Sequence, residues 1–126
     1  MKRLLIASAL LALLLTGTAA HARFLRGLTD TLSAQLEQAQ VLAREDRWTE
    51  ALSRTVEARR CWQDHRLYLY VVTRHGDADE ICRSFETVLR LLEQRSITEY
   101  VQVNTDLVVQ LNLLAEAEQP TLANVL

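Results

Sequence analysis

Residues 46–73 read DRWTEALSRTVEARRCWQDHRLYLYVVT, and their periodicity decides the fold. Trp48, Ala51, Leu52, Thr55, Ala58, Trp62, His65, Leu69 and Val72 recur at spacings of one, three and four. That pattern draws one face of a long α-helix. Both tryptophans lie on it, and aromatic side chains carry the largest apolar areas available for burial. A helix holding both is expected at the centre of a small core, covered by other helices. Residues 67–73 favour a strand by propensity alone. A lone strand leaves its backbone unpaired, and no second strand candidate exists to join it. The stretch is therefore expected to be helical and buried on more than one side, with the Tyr68 and Tyr70 hydroxyls reaching water or a partner.

Working outward, Leu28, Leu32, Leu36, Ala39, Leu42 and Ala43 form a second helical stripe, with Gln35, Glu37 and Gln38 on its other face. Glu45-Asp46-Arg47 interrupts it, and Asp46 is the expected N-cap of the Trp48 helix. Such a short connection makes the two helices antiparallel. Downstream, Gly76 is expected to end the central helix in the left-handed region, with Arg74 and His75 at the negative end of its dipole. Asp77 and Glu80 have the spacing of a capping box. The third helix then turns Ile81, Cys82, Phe85, Val88, Leu89 and Leu92 inward. Ser96 and Glu99 repeat the capping spacing, and a fourth helix places Tyr100, Val103, Leu107, Val108, Leu111, Leu114 and Ala115 inward. Pro120 stops it, and residues 120–126 are expected to dock as a short apolar tail. The expected fold is all-α, an up-down antiparallel bundle of about four helices over residues 23–119.

The chain has 126 residues, 49% hydrophobic and 24% charged, which is the composition of one globular domain. With one Pro and three Gly, a sandwich rich in tight turns is disfavoured. Residues 1–22 read differently from the rest. Lys2 and Arg3 precede twelve uncharged residues, 4–15, and the segment ends in small residues with Ala20-x-Ala22. This is the pattern of a secretory signal peptide cut near Ala22. An uncleaved anchor also fits: residues 4–20 make about 25 Å of helix against a hydrocarbon core of about 30 Å. Either reading places Arg23 onward outside the cytoplasm, because Lys2 and Arg3 hold the start inside. No Cys follows the apolar run, which excludes an acylated lipoprotein cysteine. The net charge of −2 includes Lys2 and Arg3, so residues 23–126 carry −4. That balance gives no electrostatic footprint for a nucleic acid.

The layout resembles a family of short, N-terminally anchored bacterial proteins known as domain of unknown function 4363. The features that carry the resemblance are the basic-apolar start, Trp48 at the head of a helix and Trp62 about four turns on. His75 before the third helix and the ending Leu122-x-Asn124-x-Leu126 complete it. The resemblance implies a helical fold and an N-terminal anchor, and it transfers no catalytic residue. Trp48-x-x-Ala51-Leu52 also looks like the first helix of a tetratricopeptide repeat. That comparison fails, because Leu52 stands where the repeat wants Gly and Asp64 where it wants Ala.

Cys61 and Cys82 invite a disulfide outside the cytoplasm. With a turn near Gly76, however, Cys61 faces about residue 91 and Cys82 about residue 70. The axial offset is then roughly 13 Å, whereas a disulfide needs Cα atoms about 4.4–6.8 Å apart. Cys82 reads instead as a small core residue. His75-x-Asp77-x-Asp79-Glu80 has metal-binding residue types but not the spacing of a calcium loop, and acidic residues favour a first helical turn in any case. His65 lies one turn from Trp62 and from Leu69, the place of a hydrogen-bonded boundary histidine. Asp64 and His65 diverge by about 100° and do not act as a pair. Arg54, Arg59, Arg60 and Arg66 are offset by Glu50, Glu57 and Asp64 at helical neighbours, a solvated paired face.

Phosphate loops, nucleophile elbows and dinucleotide glycine patterns are absent, as is the Cys-x-x-Cys-His haem signature. The expectation is a non-enzymatic, extracytoplasmic bundle with no cofactor and no metal, which presents a surface to another envelope protein. Trp48, Trp62, His65, Tyr68, Tyr70 and His75 are its candidate core-organising or interaction residues. The alternative is a small-molecule or metal sensor in the bundle interior, with His65, Tyr68, Tyr70 and His75 as its polar contributors. A third option is a hydrolase using His75 with Asp77 or Asp79.

Overall fold

The computed structural model describes residues 1–72 and 75–117, and for Val72 and His75 it describes the backbone alone. The described residues form five helices and no strand: α1 Lys2–Arg44, α2 Trp48–Asp64, α3 Arg66–Val72, α4 His75–Gln94 and α5 Ile97–Ala117. The all-α bundle expected from periodicity is the observed architecture. Helix α1 packs on α2 and α5, α4 packs on both of those, and α3 closes one end. The tail at 120–126, the stop at Pro120 and the side chains of Arg74 and His75 lie outside the described residues.

The apolar start and the first bundle helix are one unbroken helix of 43 residues. Gly17 and Gly27 do not break it, because a glycine inside a helix costs only about 1 kcal/mol and no proline intervenes. Residues 1–20 are exposed throughout. From Ala22 on, Leu25, Leu28, Thr29, Leu32, Ser33, Leu36, Ala39 and Ala43 turn inward. The buried stripe thus begins two turns before Leu28, where the sequence pattern first makes it evident. The end of the bundle where α1 enters is called the near end below, and the opposite end the far end.

At the far end both crossings are backbone motifs. Asp46 adopts φ 62° and Arg95 φ 55°. The Asp46 and Arg47 amides donate to the Ala43 and Leu42 carbonyls, and the Arg95 and Ser96 amides to those of Leu92 and Leu91. Each is the paired-bond helix stop in which one left-handed residue redirects the chain. Asp46 is therefore the C′ residue of α1 and not the N-cap of α2. That place belongs to Arg47, which makes no side-chain capping bond. Asp46 instead accepts a bond from the Trp48 indole at 3.3 Å. Ser96 does precede α5, and its carbonyl accepts from the Tyr100 amide at 2.8 Å.

Near-end geometry departs from expectation. The long central helix breaks at His65, whose φ −101° and ψ 7° lie outside the helical well. Neither Gly nor Pro marks the break. It reorients α3 so that Leu69 is fully buried while Leu67 and Val71 are 84% and 80% exposed. Residues 67–71 are thus helical, as expected, but buried on one side and not on several. Gly76 lacks a positive φ and lies inside α4. Asp77 sits in the first turn of α4 and is not its cap.

The break also resets the register of the α2–α4 hairpin. The Trp62 indole donates to Cys82 Sγ at 3.1 Å, its ring lies 6.4 Å from that of Phe85, and Arg59 pairs with Glu86. Cys61 is consequently level with residues near 82–86, and the axial offset expected for the two thiols does not exist. Both remain free. Rotation separates them: Arg59 and Trp62 meet α4, whereas Cys61 shares its flank with His65, which packs toward α1.

Inward residues of α4 and α5 follow the sequence pattern, with Ala78, Leu91 and Asn104 added and Cys82 and Val103 only partly buried. Trp62, Tyr100, Phe85 and a set of leucines are the largest fully buried side chains. Trp48 is partly buried against this core at its edge. The α1–α5 contact contains one polar tie, in which Asn104 Nδ2 donates to the Leu36 carbonyl at 3.1 Å and to Gln40 Oε1 at 3.0 Å.

Candidate functional site

Three helices and the α2–α3 break converge at the near end. His21 and Phe24 project from α1 one turn apart, and His65 closes α2. Tyr68 comes from the first turn of α3. The His21 ring lies 5.6 Å from that of Tyr68, with its Nδ1 bonded to the Tyr68 hydroxyl. Phe24 stacks 5.4 Å from His65 and meets Tyr68 edge-on at 5.2 Å. His65 Nδ1 donates to the Cys61 carbonyl at 2.9 Å, which fixes the ring. Phe24 is nevertheless 43% exposed and Tyr68 37%. The cluster is a surface feature, unlike the enclosed core around Trp62.

Tyr70 leaves α3 toward α4, where its hydroxyl donates to Asp79. That bond to a carboxylate raises the phenol above its ordinary range, while Arg66, whose guanidinium lies 5.3 Å from the ring centroid, opposes the shift. Burial, followed by the Asp64 charge, likewise pushes the Cys61 thiol up. That shift disfavours the thiolate, the form that acts as a nucleophile. Among the described residues no three His, Cys, Asp or Glu side chains gather as a metal site.

Of the six residues singled out from sequence, the structure brings His65 and Tyr68 together, through α1. Trp62 is 1% exposed in the core. Trp48 stands at the far end on Asp46, and Tyr70 faces Asp79. The His75 side chain lies outside the described residues. Tyr70 is partly buried against the core, His65 is half-buried at its boundary, and Tyr68 is exposed. Between α2 and α4, a cavity beside Trp62 and Cys82 holds about 20 Å³, room for a single water. A larger open groove of about 330 Å³ runs along α4 and α5, lined by Asp77, Glu80, Gln110 and Leu113 among others.

Sequence reasoning missed His21 and Phe24, because both fall at the edge of a segment that reads as a leader. The signal that exposes them is the helical phase: Ala22 and Leu25 extend the stripe of Leu28, Leu32 and Leu36 backward. Asn104 was hidden by its polarity amid an apolar stripe.

The family model described as Domain of unknown function (DUF4363) matches residues 19–125. No curated protein and no solved structure matches the chain.

Proposed function

The chain belongs to the DUF4363 family, and from that premise we propose a membrane-anchored, extracytoplasmic bundle that offers a docking surface to another envelope protein. The observation that carries the reading is the continuity of α1. An 18-residue window of it has a mean hydropathy of 1.9 and no buried residue, which suits lipid and not the core of a soluble domain. The same helix then threads the bundle to Arg44. Retention without cleavage at Ala22 is supported by what lies around that point. Ala22 is buried, and His21 and Phe24 join the near-end cluster. Cutting after Ala22 would remove the His21 contact with Tyr68. Lys2 and Arg3 on the inner side of the membrane direct the bundle outward. Exposed apolar Val109 and Leu113, one turn apart on α5, support contact with a protein partner.

N-terminal sequencing of the protein recovered from alkaline-washed membranes tests this directly. The expected result is an N-terminus at or next to Met1 in the membrane pellet, with the bundle digested by protease added to spheroplasts. A soluble product beginning at Arg23 would overturn the anchored reading. Photo-crosslinking from Leu113 in intact cells addresses the docking role, and the expected result is one discrete adduct with an envelope protein. Its absence, with the bundle folded, would remove that part.

A further inference from the structure

Helix α3 leaves two large apolar side chains without cover. Leu67 and Val71, four residues apart and so on one face, are 84% and 80% exposed. Leu69 projects from the opposite side and is fully buried. A seven-residue helix held by Leu69 and the partly buried Tyr70 has no internal reason to carry two more apolar side chains on its outer face. The neighbouring helix supplies the reason. Residues 4–20 of α1 make about 25 Å of apolar helix, nearly the depth of a hydrocarbon core of about 30 Å. His21, the next residue, touches Tyr68 of α3. Contact with His21 places α3 within one helical turn of the end of the apolar span, at headgroup depth when α1 is in a bilayer. The aromatic residues there are of the kind that settle at that depth: Tyr68, and Phe24 with 43% of its surface exposed.

Electrostatics does not set the occupant. Arg23, Arg26 and Arg66 lie at this end, but so do Asp64, Asp77 and Glu80, and the Arg66 guanidinium is engaged over Tyr70. The attraction is therefore apolar. We propose that the outer face of α3, through Leu67 and Val71, inserts into the boundary between headgroups and acyl chains of the same membrane that α1 enters. Two points of attachment then fix the rotation and tilt of the bundle, which a single helix leaves free. The inference rests on the anchored reading of α1.

The test uses the full chain in vesicles of phosphatidylcholine and phosphatidylglycerol, with Cys61→Ala and Cys82→Ala removing the native thiols. A fluorescent label is placed at one site at a time through Leu10→Cys, Leu67→Cys or Val41→Cys. Lipids spin-labelled near the top of the acyl chain serve as quencher. The expected result is quenching at positions 10 and 67 and none at position 41, an exposed site near the far end. With the label at Val71→Cys, Leu67→Glu is expected to abolish quenching there, while Leu10→Cys in the same Leu67→Glu background stays quenched. Quenching at position 10 without quenching at 67 would overturn the α3 proposal and leave the anchor intact. Loss of quenching at position 10 would overturn both.

Discussion

The two ends of the bundle are closed by different means. At the far end, Asp46 and Arg95 each take a left-handed conformation and the adjacent amides bond back into the preceding helix. Those bonds are local and hold whatever the neighbouring side chains are. At the near end, α2 stops at His65 with no Gly or Pro, and closure depends on side chains from separate helices. Phe24 supports His65 and Tyr68, Tyr70 reaches Asp79, and Leu69 plugs the core. Backbone chemistry closes one end and packing closes the other. Local opening is accordingly expected at the near end first, since short helices with few buried contacts lie at the low-stability limit.

The strongest way to break this comparison is to remove the two tryptophans separately. Trp62 is buried on the near half of the core, and Trp62→Ala is expected to cost about 3–5 kcal/mol through the cavity it leaves. Trp48, only partly buried beside the far-end turn, is expected to cost about 1–2 kcal/mol as Trp48→Ala. Chemical denaturation of the full chain in detergent measures both. Equal costs would show that the core is centred elsewhere.

Next in size is the polar tie between α1 and α5. Asn104 is fully buried, and its Oδ1 has no hydrogen-bond partner among the described residues. Asn104→Ala combines a cavity with two lost bonds and is expected to cost about 1–3 kcal/mol. Asn104→Leu fills the volume and releases the orphaned oxygen, so it is expected to be near neutral. If the leucine variant is as damaged as the alanine, the tie is fixing helix register and not merely filling space.

The same division between the ends explains what the sequence disclosed. Helical phase identified every inward apolar position of α4 except Ala78 and Leu91, because amphipathic spacing records burial directly. Short polar connections located both far-end crossings, although the left-handed residues are Asp46 and Arg95 where glycine is the usual choice. The near end was misread. A helix break without Gly or Pro leaves no local mark, so residues 46–73 looked like one helix. That one error propagated: it misplaced Gly76 and shifted the α2–α4 register, giving the thiols a false offset. His21 falls inside the 1–22 leader and Phe24 just beyond it, and composition reports a targeting segment but not where the fold takes over. The near-end cluster joins His21 and Phe24 of α1 to His65 and Tyr68 around the α2–α3 break, and no window of sequence contains it.

A pH measurement sharpens the comparison further. The near-end phenols Tyr68 and Tyr70 are bonded to side chains. Tyr100, beside the far end, is fully buried, and its hydroxyl lacks a partner among the described residues. Burial pushes its ionisation well above the ordinary 10.0. A folded-state value above the unfolded one means the contribution is complete below that ordinary value and is lost as pH rises past it. The expected loss is about 1.4 kcal/mol per pH unit above 10. Tyr100→Phe should remove its share of that slope, leaving what Tyr70 and Cys61 contribute, and, by losing an unbonded hydroxyl, add about 1 kcal/mol at neutral pH. Denaturation between pH 9 and 11, a window of about one unit either side of that value, separates the two proteins.

The smallest effect bears most directly on how the far end is built. Arg95 holds φ 55°, a conformation that costs a residue with a Cβ roughly 1 kcal/mol and costs glycine nothing sterically. Arg95→Gly is therefore expected to stabilise the full chain by up to about 1 kcal/mol, less the extra freedom glycine gives the unfolded chain. Asp46→Gly meets a different balance at a similar angle. Aspartate tolerates the left-handed region better than arginine, and its carboxylate accepts the Trp48 indole bond. Its replacement is expected to be neutral or mildly destabilising. Opposite responses at two turns of the same geometry would show that backbone strain governs the first and a side-chain bond the second. If both lose stability together, the far end depends on side chains as the near end does, and the contrast between them fails.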